Sequence, residues 1–123
     1  MTRDWEIIRA ILVRLEESST PNSIVRMGDF DDLEEQDVAY NMRLLSDAGC
    51  IEANILKTST GDNLIASAIA RRLTPKGHDL LDSIRNESVW NQVKDKFQSK
   101  GLDMTIDMVI SVGKRIVESM LLG

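Results

Sequence analysis

The chain reads as mostly α-helical with one small antiparallel β-hairpin, a winged helix, followed by C-terminal helices. Three observations predict this. A helical repeat of apolar residues over 38–45 stops at Ala48-Gly49; two extended runs, 51–57 and 64–73, flank the polar, turn-forming residues 58–63; and Thr74-Pro75 opens another helix directly after the second run. Helix, hairpin and helix in that order present one helix face and one hairpin tip to a partner, which points to binding rather than chemistry.

In residues 3–17 the apolar side chains Trp5, Ile8, Ile11, Leu12 and Leu15 recur at intervals of three and four, one stripe on one face of a first helix. Pro21 lacks an amide hydrogen and restricts the residue before it, so 18–22 ends that helix. Residues 23–27 suit a short strand pairing with the later hairpin. Six acids and no base follow in 29–37: Asp29, Asp31, Asp32, Glu34, Glu35 and Asp37. The helix macrodipole favours such a cluster at a helix start, with Asp31 or Asp32 as N-cap. Val38, Met42 and Leu45 then face inward and Gly49 supplies a left-handed C-cap. The outward positions are Gln36, Asp37, Tyr40, Asn41, Arg43 and Leu44.

Within 51–57, Ile51, Ala53 and Ile55 alternate with Glu52, Asn54 and Leu56, the period of two of a half-buried strand. The Ala-rich middle of 64–73 suits helix or strand, and its place after a turn assigns it to strand. Thr74 is a hydroxyl N-cap with proline at the first helical position. Leu80, Leu81 and Ile84 make that helix's inner face; Trp90, Val93 and Phe97 continue the stripe after a break near Asn86. Beyond Gly101, residues 102–122 place Ile106, Val109, Ile110, Ile116, Val117, Met120 and Leu121 on one broad face, widened by Met104, Met108 and Val112. A face this wide predicts two burial surfaces and, two-fold symmetry being the commonest closed arrangement, a homodimer through these residues. Residues 1–86 then form a winged-helix core and 87–123 a helical extension of a single domain.

At 123 residues the chain supports one core. A hydrophobic fraction of 42% and a charged fraction of 28% are those of a folded globular protein. The net charge of -5 argues against coating nucleic acid or anionic membrane by bulk electrostatics, so any DNA contact must be local. The N-terminus is charged and lacks an apolar export segment, and no uninterrupted apolar run spans a bilayer. A cytoplasmic protein without membrane contact is expected. The single cysteine, Cys50, excludes an internal disulfide and suits a buried thiol.

Catalytic and metal constellations are missing from the pattern. One His and one Cys exclude a metal site built from several such ligands. His78 follows Pro75 within one turn and has no acid or base placed to work with it, so local hydrogen bonding is its expected role. An EF-hand read from Asp29 would need Gly where Glu34 stands and Glu where Tyr40 stands. The spacing of Gly61, Gly77 and Gly101 makes no phosphate-cradling loop. Trp90, spaced with Val93 and Phe97, reads as core. No enzyme activity and no cofactor are expected.

Three stretches carry a likeness to a known family: residues 2–12, residues 38–45 with Ala48-Gly49, and Arg72-Leu73-Thr74-Pro75-Lys76-Gly77-His78-Asp79-Leu80-Leu81-Asp82 with Val89-Trp90. In these the chain resembles domain-of-unknown-function family 2513 over nearly its whole length. The resemblance implies a short bacterial, phage or prophage protein, hence a cytoplasmic one carried by a mobile element, and brings no activity with it. In that family the positions of Asn41 and Cys50 are commonly His and Leu, so this chain departs at the outward helix face.

Two functions fit. As a DNA-binding regulator, the chain would set Lys57, Arg71, Arg72 and Lys76, opposed by Asp62, against phosphates while Gln36, Tyr40, Asn41 and Arg43 read bases in the major groove. As a protein-binding module, for instance a modulator of a host protein, it would use Asp31, Asp32, Glu34, Glu35, Asp37 and Leu44 to meet a basic partner. Double-stranded DNA and a host protein are therefore the two expected partners.

Overall fold

The computed structural model describes residues 2–18, 20 and 22–123. Along the chain lie α1 (Trp5–Glu16), β1 (Val25–Arg26), α2 (Glu35–Asp47), β2 (Ile51–Lys57), β3 (Ile65–Leu73), α3 (Pro75–Ile84), α4 (Glu87–Lys100) and α5 (Ile106–Leu122). The three strands form an antiparallel sheet in the order β1-β3-β2. The expected hairpin is present, and so is the short strand before α2, which pairs Val25 with Ala70 and Arg26 with Ile69. Ser19 and Pro21, to which the sequence assigns the end of α1, lie outside the described residues.

The chain divides into two compact units, Met1–Gly77 and His78–Gly123. In the first unit α1 packs on α2 and β3, and α2 packs on both long strands. Asp4 caps α1 by accepting from the amides of Glu6 and Ile7, and the helix buries Ile7, Ile8, Ile11, Leu12 and Leu15. On α2, which packs against α1, Val38, Met42 and Leu45 are fully buried. Burying apolar area is the main stabilising term of such a unit.

Two local features depart from the sequence reading. The N-cap of α2 is Glu34, whose Oε2 accepts from the Asp37 amide at 3.0 Å, rather than Asp31 or Asp32. Phe30 explains the shift: its ring is buried, with the Arg14 guanidinium 5.0 Å above it, and the turn that seats it runs through Asp31 and Asp32. In β3, Arg71 and Arg72 are both exposed, against strict alternation. The register passes from Ala70 opposite Ala53 to Arg72 opposite Glu52, so Arg71 is an extra residue in a β-bulge. The bulge turns both arginines outward and returns Leu73 to the core.

The second unit holds most of α3 together with α4 and α5, and the predicted break at Asn86 separates the first two: Asn86 caps α4 through the Val89 amide at 3.1 Å. Gly101, at φ 64°, ends α4, with amides of Gly101 and Leu102 closing on Gln98 and Phe97. Gly113 of α5 lies so close to α3 that an added Cβ would stand 3.0 Å from the Ser83 Cα and overlap its side chain. Lys114 pairs with Asp79 at 3.1 Å beside this contact. Among the described residues no helix is long and apolar enough to cross a membrane.

Candidate binding surface of the α2 helix and hairpin

The hairpin is fixed to α2 at both of its ends. Near its tip, where Ile65 pairs with Lys57, the Gln36 amide forms two bonds with one residue: Oε1 accepts from the Ile65 N–H at 2.9 Å and Nε2 donates to the Ile65 carbonyl at 2.9 Å. A side-chain amide matches a peptide group in donor and acceptor, so this pair acts like one rung of a sheet. At the other end α2 closes in a Schellman turn on Gly49, at φ 81°, with Cys50 N–H donating to Leu45 and Gly49 N–H to Ser46.

The carbonyls this turn leaves over are taken by the segment that opens α3. Thr74 donates its amide to the Cys50 carbonyl at 2.9 Å and its hydroxyl to the Gly49 carbonyl, while Lys76 Nζ donates to Ala48 at 2.9 Å. The Thr74 hydroxyl also accepts from the Gly77 amide at 3.1 Å as N-cap of α3. Gly77 must be glycine for the chains to come this near, because a Cβ would overlap the Cys50 carbonyl. The sequence Thr-Pro-Lys-Gly is thus a clamp on the C-terminal end of α2.

These bonds revise the predicted DNA-reading set. Asn41 is fully buried rather than outward: it accepts from the Asp4 amide at 2.9 Å and donates to the Asp37 carbonyl at 2.8 Å, which joins the start of α1 to α2. Gln36 is occupied by Ile65. Tyr40 and Arg43 are half-buried, with Arg43 in a loose pair with Asp47 at 3.8 Å. Leu44, expected on the exposed side, is also half-buried.

The hairpin cations are less free than their count suggests. Arg72 meets Glu52 across the strands at 2.7 Å, a second hairpin acid beside Asp62. The arginine's hydrogen bond holds the Glu52 carboxyl below its ordinary range and raises the guanidinium in turn. Arg71 Nε donates to Asn54 at 2.9 Å, and Lys76 serves the clamp. Lys57 is exposed near the tip, beside Leu56, which is 63% exposed. The tip itself is ordered by Asp62, which accepts from the Thr58 hydroxyl and from the Leu64 amide at 3.0 Å. Those bonds, with a further one from Thr60, hold its carboxyl below the ordinary value.

The acids before and at the start of α2 divide by role. Asp29 accepts from the Arg26 amide at 2.8 Å and Glu34 is the N-cap, while Asp31, Asp32 and Glu35 are exposed and Asp37 is half-buried. Among the described residues no three of His, Cys, Asp or Glu come together so as to hold a metal ion. Cys50 is buried and in no disulfide, and His78 is exposed.

The predicted dimer face is also revised. Ile106, Val109, Ile110 and Ile116 are buried within the chain and Val117 is half-buried, which leaves Met120 and Leu121 at the surface. The exposed apolar stripe of α5 runs through Met120 of that face and Met108 at its margin.

A profile described as "Hypothetical protein (DUF2513)" matches residues 2–103, which takes in every element built so far except α5. The chain belongs to this family. A relative from Haemophilus influenzae (strain ATCC 51907 / DSM 11121 / KW20 / Rd), an uncharacterised protein, is 40% identical over 121 residues, spanning 98% of this chain and 99% of its own length. That alignment is long enough to include α5. No solved structure matches the chain.

Proposed function

We propose that this DUF2513 protein is a non-enzymatic interaction module built on a reduced winged helix, and that it binds a protein partner through the acidic start of α2. The element order α1-β1-α2-β2-β3 and the sheet order β1-β3-β2 support the winged-helix reading, with the turn over 27–34 standing where a further helix would precede the recognition helix. One observation carries the choice of partner. The two amides best suited to reading adenine, Gln36 and Asn41, are spent on Ile65, Asp4 and Asp37, while Asp31, Asp32 and Glu35 are open to solvent at the end of α2 that would approach bases. Phosphates would meet those acids first. On this reading the protein acts in the cytoplasm as a modulator of a host protein, in keeping with the mobile-element setting that the family resemblance implies.

Lys57 and Arg71 favour the second reading, DNA binding through the hairpin. Fluorescence anisotropy with random-sequence duplex across a salt series separates the two. The protein-binding reading expects no salt-dependent association at low salt, and expects Asp31→Lys with Asp32→Lys to abolish recovery of whichever protein the wild type retains. A log-log salt slope of about 1.8, halved or removed by Lys57→Ala with Arg71→Ala, would instead establish two phosphate contacts and the DNA reading.

A further inference from the structure

In the second unit α4 and α5 leave a groove of about 490 Å³ along their seam. Its floor is apolar: Phe97 from α4, and Met108, Val112, Ile116 and Met120 from α5. The α5 positions repeat at helical spacing over twelve residues, so the groove is about 18 Å long, close to three turns of a docked helix. Met108 is 42% exposed and Met120 is 52% exposed, as is Leu102 at one end, so an apolar stripe of this length lies open to water.

The rim is what selects an occupant. Lys96 and Lys100, four residues apart, stand on the α4 side and Arg115 on the α5 side, and no carboxylate lines the groove. None of the three cations has an ion-pair partner among the described residues, in a chain whose net charge is -5. An apolar trough with cations on both walls complements a helix that carries one apolar stripe bordered by acids on both sides. A fatty acid would satisfy one cation and leave the opposite wall uncompensated. A second copy joined groove to groove would set Lys96, Lys100 and Arg115 against like charges. Thioether side chains on the floor adapt to the shape of the incoming residues.

We propose that the α4–α5 groove docks an acidic amphipathic helix of a partner protein. This surface is distinct from the acidic start of α2, and the two stand or fall separately.

The test uses the whole protein and a labelled helical peptide with leucines at i, i+3, i+4 and i+7, flanked by glutamates. Controls are a twin with every glutamate changed to lysine, and oleate as competitor. The acidic peptide is expected to bind saturably and at least tenfold tighter than its lysine twin. Lys96→Glu with Lys100→Glu should weaken it at least tenfold, Met120→Asp likewise, and Asp31→Lys with Asp32→Lys should leave it within twofold. Circular dichroism checks that each variant is folded; all of these side chains are exposed, so folding is expected to survive. Equal binding of the two peptides, or of neither, overturns the proposal. So does displacement by oleate at a stoichiometry of one with no effect of Arg115→Glu, which makes the groove a lipid site. Light scattering that shows a dimer dissociated by Met120→Asp assigns the groove to a second copy and overturns it as well.

Discussion

Replacing Gly77 by alanine is the sharpest probe of how the hairpin is anchored. The new methyl would stand 3.0 Å from the Cys50 carbonyl carbon, overlapping its oxygen, and 3.4 Å from Leu73 Cδ2. The obstacle is backbone, so it cannot swing aside as a side chain would; α2's end and α3's start must part by on the order of 1 Å. That parting breaks the bonds from Thr74 N–H to Cys50 and from Lys76 Nζ to Ala48, both 2.9 Å, and that from the Thr74 hydroxyl to Gly49. Three such bonds are worth about 3 kcal/mol together. Alanine returns at most about 1 kcal/mol through its helix propensity and its stiffer unfolded chain. The net loss is about 2 kcal/mol, which for a chain of this size lowers Tm by roughly 6–10 °C. Thermal unfolding followed by circular dichroism measures it, with Gly61→Ala as control: there, unlike at Gly77, φ is positive, 74°, and a Cβ meets nothing within 4 Å. The control should lose about 1 kcal/mol from backbone strain alone. If Gly77→Ala melts within about 2 °C of wild type, the clamp is slack and the reasoning fails.

Two further outcomes follow from single side chains. Asn41→Ala removes the acceptor of the Asp4 amide and should cost about 2 kcal/mol, with faster hydrogen exchange concentrated in the first turn of α1; unchanged exchange there would deny Asn41 its joining role. The Asp62 carboxyl is held below its ordinary value of 3.8 by the Thr58 and Thr60 hydroxyls and the Leu64 amide. A depressed value means the charged form is favoured in the folded tip, so the ordering is complete above pH 3.8 and is lost as pH falls through the lower folded value. Titrating the Leu64 amide shift by NMR should give a midpoint below 3.8, moved upward by Thr58→Val; a midpoint at or above 3.8 contradicts the bonded tip.

The hairpin was legible because its determinants are local: alternation in β2, turn residues over 58–63 and a Thr-Pro helix start all lie within a few residues of what they specify. Where tertiary packing decides, local rules fell short. Any of several acids satisfies the N-cap preference before α2, and the burial of Phe30 chose Glu34. Asn41 looked outward because polar residues usually are, yet a buried amide is stable when its bonds are made, and Asp4 and Asp37 supply them. The pairing of Glu52 with Arg72 is set by a bulge that sequence alternation does not foresee. The broad α5 face divides into an internal half and an exposed one. The half that is internal is the one containing Gly113, since only a residue without a side chain lets α5 approach Ser83. That glycine was the available signal, and the cations Lys96, Lys100 and Arg115 gained meaning only once α4 and α5 were side by side.

Because Gln36 secures the tip end of β3 and the Thr74–Gly77 segment the base of the hairpin, the hairpin has no loose hinge on α2. A molecule that grips the tip near Lys57 therefore applies torque to the whole helix. A rocking of α2 against α1 would load the Asn41 bond to Asp4, which joins the two helices.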